Sequence, residues 1–533
     1  MMINVLDYLE QTLEHIADKD KVAFYGNTKK AGGQAPCLTF RELSDYSRAC
    51  GSCLLTQGIT KQPVAVFMQR SPAMIAAFFG VVYSGNYYIP LDADMPAFRI
   101  RLILEAVNPA LIICDDVTVG LVSEWETTNG KTDEPSPCLF DDICSHQIDE
   151  NALAEVRSKA IDTDPLYVVF TSGSTGIPKG VVATHRSVID YIENLSAVLG
   201  VTEDTVFGIQ SPLYLDACLK EVYNTIKYGS SAYLIPQSLF MFPVKLIEYI
   251  NDNGINTVCW VASAFSLIAG LGTFKSAVPK TLHTIAFGSE VFPIKHFNQW
   301  REQLPNARFI HLYGPTEATG MSCFCEITRT YDENESIPIG KPFPNTEILL
   351  IDDNGVTPKD GEPGEICIRG TCLSPGYYGD MEKTAETFVQ NPLSAFPDVI
   401  YKTGDLGRRG ADGELYYISR RDHQIKHMGY RIELAEIELV ANGCENVGLA
   451  CAIFDKDESK IIMYFITTEE NRKQENRPPA SEKSAVRAYL KANLPRYMLP
   501  QIIIELDELP QTPGGKIDRV GLLQRYREEK ETK

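Results

Sequence analysis

Short runs of β-branched and aromatic residues recur along the first part of the chain, at 63–68, 110–114, 166–170, 232–235, 257–261 and 283–287, with amphipathic helical stretches between them. A strand that reaches the next strand through a helix must cross over, and crossovers build parallel sheets. This alternation restricts the chain to an α/β architecture, in which ligands sit at the carboxyl ends of strands.

From about residue 345 the texture changes to short strands and turns, as in Glu347 to Asp352 ahead of Asp353-Asn354-Gly355, and in 364–369. That pattern predicts a hairpin-rich β subdomain. Beyond Arg421 come a helix from about Glu433, strands near 450–454 and 460–467, a polar stretch over 468–483 and another helix. The expected organisation is a large core over 1–421, with its β subdomain from about 345, and a small mobile α+β lid over 422–533. Arg420-Arg421-Asp422 is the candidate hinge.

Charge narrows the ligands. The 533 residues carry 50 Lys and Arg against 70 Asp and Glu, a formal charge of −20. Nucleic-acid binding draws most of its affinity from basic side chains on phosphates, so none is expected, and a polyanion needs a local site. Residues 1–21 lack the basic flank and apolar run of a signal peptide and read as a surface helix. The most apolar stretch, 73–83, breaks at Ser84-Gly85-Asn86, short of the roughly 20 residues that span a bilayer, so no membrane span is expected. Fourteen scattered cysteines fit reduced thiols and a cytoplasmic setting. Cys50 and Cys53 continue the apolar pattern of Leu43, Tyr46 and Leu54 and are assigned to core packing rather than metal.

The strongest motif is the apolar strand from Tyr167 that runs into Thr171-Ser172-Gly173-Ser174-Thr175-Gly176 and ends at Lys179. Glycine lets backbone N–H groups approach a polyphosphate closely, and hydroxyls and an ammonium complete the cradle. The spacing is not that of a Walker A loop, because Pro178 stands where the second Gly belongs. A flexible surface loop is the plainer reading. Further on, Tyr313 offers a face for stacking a base, and Thr316 and Glu317 place a hydroxyl and a carboxylate beside it. A β-turn at Gly314-Pro315 with an incidental acid is the alternative. Asp405 can accept from two ribose hydroxyls or cap the next turn. Arg420 suits ribose or phosphate oxygens, or is half of a solvated basic pair. Lys516 lies in the glycine-bearing turn Thr512 to Asp518, where a lysine is ordinarily surface decoration.

Taken in order, Leu38-Thr39-Phe40-Arg41-Glu42-Leu43, Gly85 to Asp92, the phosphate loop, Tyr313-Gly314-Pro315-Thr316-Glu317, Tyr401 to Leu406, Arg420 to Lys426 with Gly429 to Glu433, Leu494 to Pro500 and Gly515 to Arg519 resemble the adenylate-forming superfamily. Within it, the chain is similar to the amino-acid adenylation domains of nonribosomal peptide synthetases and to D-alanine:carrier-protein ligases. The resemblance covers nearly the whole chain. It implies ATP as cosubstrate, Mg²⁺ held at the α-phosphate by Glu317, and Lys516 as the ammonium that stabilises the transition state. Gly288, Ser289 and Glu290 join the nucleotide site. A swing about Asp422 then turns the face around Gly429 toward a phosphopantetheine thiol on a carrier protein.

The same resemblance places the substrate's α-ammonium on Asp216, its α-carboxylate on Lys516, and its side chain among Ala217, Lys220, Trp260, Ala286, Gly288, Leu312, Gly320 and Met321. Lys220 departs from the apolar or aromatic residue usual at its position. A buried lysine needs an anion, which puts glutamate first and aspartate second. The competing reading pairs Lys220 with Asp216 at i,i+4 and leaves room for a small amino acid such as alanine, in keeping with the likeness of Gly288 to Pro293 to D-alanine ligases. An acyl- or aryl-CoA ligase and a catalytically silent carrier-binding homologue are the remaining alternatives. Residues 520–533 read as a charged tail with no carrier segment, so the carrier is expected in trans or in a longer chain.

Overall fold

The computed structural model describes residues 2–26, 36–122, 137–173, 178–422, 424–468, 479–511 and 517–531. The chain divides into two compact units. The first comprises Met1–Ala93, Val107–Val169 and Gly180–Arg421; the second comprises Asp94–Ala106, Phe170–Lys179 and Asp422–Lys533.

In the first unit, a nine-stranded sheet runs in the order Lys341–Pro342, Cys323–Ile327, Arg308–Tyr313, Thr284–Gly288, Thr257–Val261, Val206–Ile209, Ser231–Leu234, Val22–Tyr25, Cys37–Thr39. Its inner strands, Arg308–Tyr313 through Val22–Tyr25, are parallel, and the outer ones are antiparallel. A six-stranded sheet orders Pro137–Leu139, Leu111–Cys114, Pro63–Met68, Tyr87–Asp92, Pro165–Thr171 and Lys179–Thr184, its last two strands flanking the Gly/Ser/Thr loop. The expected α/β class is therefore what the chain adopts, with helices between strands as crossovers demand. The β subdomain is an antiparallel sheet of Thr346–Ile351, Gly364–Gly370, Val399–Arg409, Phe388–Gln390 and Leu415–Arg420.

Local chemistry starts the helices that pack on these sheets. In Phe40–Thr56, the Thr39 hydroxyl accepts from the Glu42 N–H while the Glu42 carboxylate accepts from the Thr39 N–H, satisfying two otherwise orphaned donors. Cys50 on this helix is fully buried and meets Gly80 of helix Pro72–Tyr83, where an added Cβ would fall 2.5 Å from the Cys50 sulfur. The assignment of Cys50 to core packing follows directly. The apolar stretch at 73–83 is this buried helix, and among the described residues no helix is long and apolar enough to cross a membrane.

The second unit pairs Gln424–His427 with Tyr430–Glu433 around a turn at Met428 (φ 52°) and Gly429 (φ 81°). Two consecutive left-handed residues match the twist of a tight hairpin. Helix Leu434–Asn442, strands Val447–Asp455, Lys460–Thr467 and Ile502–Glu505, and helix Pro479–Asn493 follow. The charged tail of the sequence reading is helix Arg519–Glu531. Leu522 and Tyr526, one turn apart, bury against Cys451, Ile453, Ile462 and Tyr464; the surrounding charges conceal that apolar pair in the sequence.

Candidate active site

The carboxyl ends of Thr257–Val261, Thr284–Gly288 and Arg308–Tyr313 deliver Trp260, Ala286, Gly288 and Leu312 to one cavity in the first unit. The turn Asp216–Cys218 and helix Leu219–Tyr228 add Ala217 and Lys220, and Met321 closes the lining. The cavity is about 10 Å³, roughly the room for one water. Trp260 is fixed by donating its indole N–H to the Gly208 carbonyl at 2.7 Å and by stacking on Phe265. Gly288 is required sterically, because a Cβ there would lie 2.4 Å from the Leu312 carbonyl oxygen.

Asp216 and Gly320 do not line this cavity. Gly320, at φ 85°, lies against the Tyr191 ring, which a Cβ would approach to 2.5 Å. The Asp216 carboxyl is raised by burial, against a hydrogen bond from Thr316 and the positive charge of Lys220. Asp216 and Lys220 form no ion pair, and among the described residues no carboxylate meets the Lys220 ammonium, although Lys220 is only 5% exposed.

Tyr313, Asp405 and Arg420 come together as one network. Asp405 and Arg420 are register partners on adjacent antiparallel strands. The Arg420 guanidinium donates to Asp405 Oδ1 at 2.8 Å, and the Tyr313 hydroxyl donates to Asp405 Oδ2 at 2.6 Å. Burial and the adjacent carboxylate hold the Tyr313 phenol far above its ordinary range. A carboxylate has about four acceptor positions, so Asp405 retains capacity for further donors. The next residue, Arg421, donates its N–H to the Gly404 carbonyl at 2.8 Å.

Glu317 lies in the short turn Thr316–Ala318, fully buried, and accepts at Oε1 from the Tyr377 hydroxyl at 2.8 Å. The sequence reading does not single out Tyr377, whose partner is 60 residues away. Among the described residues, no group of three or more His, Cys, Asp or Glu is arranged to hold a metal. One carboxylate suits a Mg²⁺ ion that takes most of its shell from phosphate and water, and does not suit a protein-only cage. Ser289 adopts φ 66°, and Glu290 accepts from the Ser263 N–H at 2.9 Å, capping helix Ala262–Gly270.

Among the described residues of the Gly/Ser/Thr loop and its flanks, Thr171, Ser172, Gly173 and Lys179 belong to the second unit. The Ser172 hydroxyl donates to the Arg431 carbonyl at 2.8 Å, and the Gly173 N–H donates to Glu436 Oε2 at 3.3 Å. Lys179 faces Glu433 at 4.0 Å. Glu436 also pairs with the buried Arg99, a partner 337 residues distant that no sequence spacing reveals. Burial raises the Glu436 carboxyl, opposed by Arg99 and the Gly173 N–H. Asp422 is exposed and accepts from the Gln424 N–H; Gly429 forms the hairpin turn. Ser174, Thr175, Gly176 and Lys516 lie outside the described residues.

A largely parallel sheet with a cavity at the carboxyl ends of its strands is the α/β arrangement in which ligands bind at those ends. The chain belongs to the AMP-binding enzyme family: the pattern of that family matches residues 14–378, and that of the AMP-binding enzyme C-terminal domain matches 436–516. It is 31% identical over 491 residues to bacitracin synthase 1 of Bacillus licheniformis, covering 91% of this chain and 9% of that protein. It is 30% identical over 521 residues to gramicidin S synthase 2 of Brevibacillus brevis, covering 97% and 11%. The chain thus spans about a tenth of the length of these relatives. Its fold matches NpsA-ThdA, an artificially fused adenylation–PCP di-domain NRPS from Klebsiella oxytoca, at TM-score 0.77 and 19% identity over 94% of each chain. It also matches the amide bond synthetase McbA from Marinactinospora thermotolerans, at TM-score 0.80 and 19% identity over 97% and 99%.

Proposed function

We propose that this chain activates an amino acid with ATP, forming an aminoacyl-AMP with release of pyrophosphate, and then loads the aminoacyl group on the phosphopantetheine thiol of a carrier protein. Its family membership and its likeness to named peptide antibiotic synthases support amino-acid activation. An adenylation–PCP di-domain among its structural neighbours supports a carrier, in trans or fused in a longer chain. Free cysteines throughout the fold support a cytoplasmic setting.

In this reading a substrate carboxylate oxygen attacks the α-phosphorus as the bond to pyrophosphate breaks. Negative charge that builds on the phosphoryl oxygens is met by the Lys516 ammonium. Thr316 and Glu317 frame the site, and Glu317 would hold a Mg²⁺ ion that neutralises phosphate charge. Tyr313 carries the adenine, and Asp405 with Arg420 the ribose. Ser172, Gly173, Lys179 and the loop residues Ser174 to Gly176 take the outer phosphates. Asp216 receives the α-ammonium, Asp422 is the hinge, and Gly429 faces the thiol in the second step.

The single observation that carries the substrate class is Lys220, buried in the wall of the cavity and, among the described residues, in no ion pair with a carboxylate. A desolvated ammonium without a counter-charge is unfavourable, and a substrate side-chain carboxylate removes the imbalance. Glutamate is the first choice and aspartate the second. The small cavity volume favours a second reading, a small amino acid such as alanine. ATP–pyrophosphate exchange across the common amino acids decides between them. Exchange driven by glutamate and lost in Lys516→Ala and Asp216→Ala is expected. Alanine-driven exchange overturns the substrate, benzoate- or fatty-acid-driven exchange indifferent to Asp216→Ala points to a CoA ligase, and no exchange with any acid points to a silent carrier-binding homologue.

A further inference from the structure

We propose that Tyr377 is a positioning residue for Glu317: its hydroxyl fixes the direction in which the Glu317 carboxylate is presented to a Mg²⁺ ion at the α-phosphate. The inference rests on the reading above in which Glu317 holds that ion. Tyr377 and Glu317 both belong to the first unit, and both are buried, Glu317 completely. The Tyr377 hydroxyl donates to Glu317 Oε1 at 2.8 Å, and the Ser374 N–H donates to the Glu317 backbone carbonyl at 2.9 Å. One short segment therefore grips the acid at its side chain and at its main chain.

That segment is itself anchored. The Ser374 hydroxyl donates to the Val182 carbonyl at 2.6 Å, the Val182 N–H to the Gly376 carbonyl at 3.2 Å and the Tyr378 N–H to the Gly180 carbonyl at 2.7 Å. Val181 and Tyr377 face each other as an antiparallel bridge, so residues 374–378 lie alongside 180–182 as an added stretch of ladder. Thr384 fixes the bend. Its hydroxyl oxygen accepts from the Tyr377 N–H at 2.9 Å, and its methyl carbon leaves no room for a Cβ on Gly376, whose φ of 136° favours glycine. The Tyr377 ring meets Phe388 edge-on, with centroids 6.0 Å apart. Backbone, bend and ring are all held, and the phenol oxygen is fixed with them.

A hydrogen bond at one carboxylate oxygen sets the plane of the group, and with it the direction of the lone pairs on the other oxygen. Mg²⁺ demands near-octahedral geometry at about 2.0–2.1 Å, so a carboxylate left to turn loses part of its value as a ligand. The chemistry of the donor matters as much as its place. A phenol orients the acid without bringing a formal positive charge, so the negative charge that attracts a cation is kept. An ammonium or guanidinium in the same position would cancel it.

The test is calorimetric titration of α,β-methylene-ATP, which cannot release pyrophosphate, into the full chain in excess Mg²⁺ and in EDTA. The ratio of the two dissociation constants reports the coupling between metal and nucleotide. Tyr377→Phe, which removes one oxygen, is expected to lower the affinity in Mg²⁺ by about tenfold and to leave the affinity in EDTA within about twofold of wild type. In pyrophosphate exchange, the Mg²⁺ concentration for half-maximal rate is expected to rise by about tenfold, with KM for the amino acid little changed. Equal affinities of variant and wild type in Mg²⁺ overturn the proposal, as does an equal loss in Mg²⁺ and EDTA, which marks a role in packing alone. If Tyr377→Phe does not fold, Phe388→Leu decides, because it loosens the ring and leaves the hydroxyl in place: a smaller loss confined to Mg²⁺ supports the proposal, and an unchanged ratio overturns it. Glu317→Gln separates the two readings. If it removes the coupling and Tyr377→Phe does not weaken it, this inference alone falls; if Glu317→Gln keeps the wild-type ratio, the metal role of Glu317 falls and this inference with it.

Discussion

Gly288 shows how little freedom one position in the pocket floor has. Its hydrogen occupies the space beside the Leu312 carbonyl, where a methyl group would sit at 2.4 Å. Real Cβ atoms do not approach backbone oxygen so closely, so a side chain there must push two adjacent parallel strands apart. Gly288→Ala is expected to lower the melting temperature by several degrees, corresponding to about 1–3 kcal/mol. It is also expected to raise KM for the amino acid more than KM for ATP. A thermal melt with paired exchange kinetics checks this; equal changes in both constants would mean the strain is not confined to the pocket. The pocket residues came from the family resemblance and not from local pattern: Ala217, Lys220, Trp260, Ala286, Gly288, Leu312 and Met321 line the cavity, whereas Asp216 and Gly320 do not.

At the scale of elements, helix Leu6–His15 is tied to helix His185–Leu199 by the Tyr8 hydroxyl, which donates to Glu193 at 2.9 Å, and by the His185 imidazole. The Val5 N–H donates to His185 Nδ1 at 3.3 Å, and Asn4 lies 3.5 Å from Nε2. Burial, with the nearby Arg157 charge, lowers the His185 pKa to about 3. The sign follows from linkage: the unfolded imidazole takes a proton below about pH 6.5 while the folded one stays neutral, so stability is present above that value and is lost as pH falls toward 3. Melts between pH 7 and 5 are expected to decline with a slope of up to about 1.4 kcal/mol per unit from this group, and His185→Gln is expected to flatten that part. A slope identical in both proteins would assign it elsewhere. The expected strands at 63–68, 110–114, 166–170, 232–235, 257–261 and 283–287 agree with the structure within a residue or two. Val206–Ile209 is only four residues long and contains Gly208, and Tyr87–Asp92 contains Pro90; both are sheet members whose pairing partners, rather than their own composition, make them strands.

At the scale of the whole molecule, the second unit holds Ser172, Gly173 and Lys179, proposed above to take phosphates, through groups contributed by its carboxyl-terminal part. The Gly173 N–H already carries a carboxylate, Glu436, which is itself neutralised by Arg99. In the proposed reading, a phosphate arriving at this N–H replaces one anion with another. Glu436→Gln keeps an acceptor for the N–H but removes the charge, and is expected to lower KM for ATP several-fold in pyrophosphate exchange. An unchanged KM would show that the carboxylate is no competitor. These long-range pairings could not be read from the sequence, since nothing in local pattern links Arg99 to a residue 337 positions on.

The register of Asp405 opposite Arg420 has one more outcome. Arg421 fastens its N–H to Gly404 immediately afterwards, so the ladder is complete before the chain leaves the first unit. The pair assigned to the sugar in the proposed reading is therefore fixed by its own sheet, upstream of the proposed hinge residue Asp422. The grip on the sugar, in the proposed reaction, thus owes nothing to residues that follow position 421.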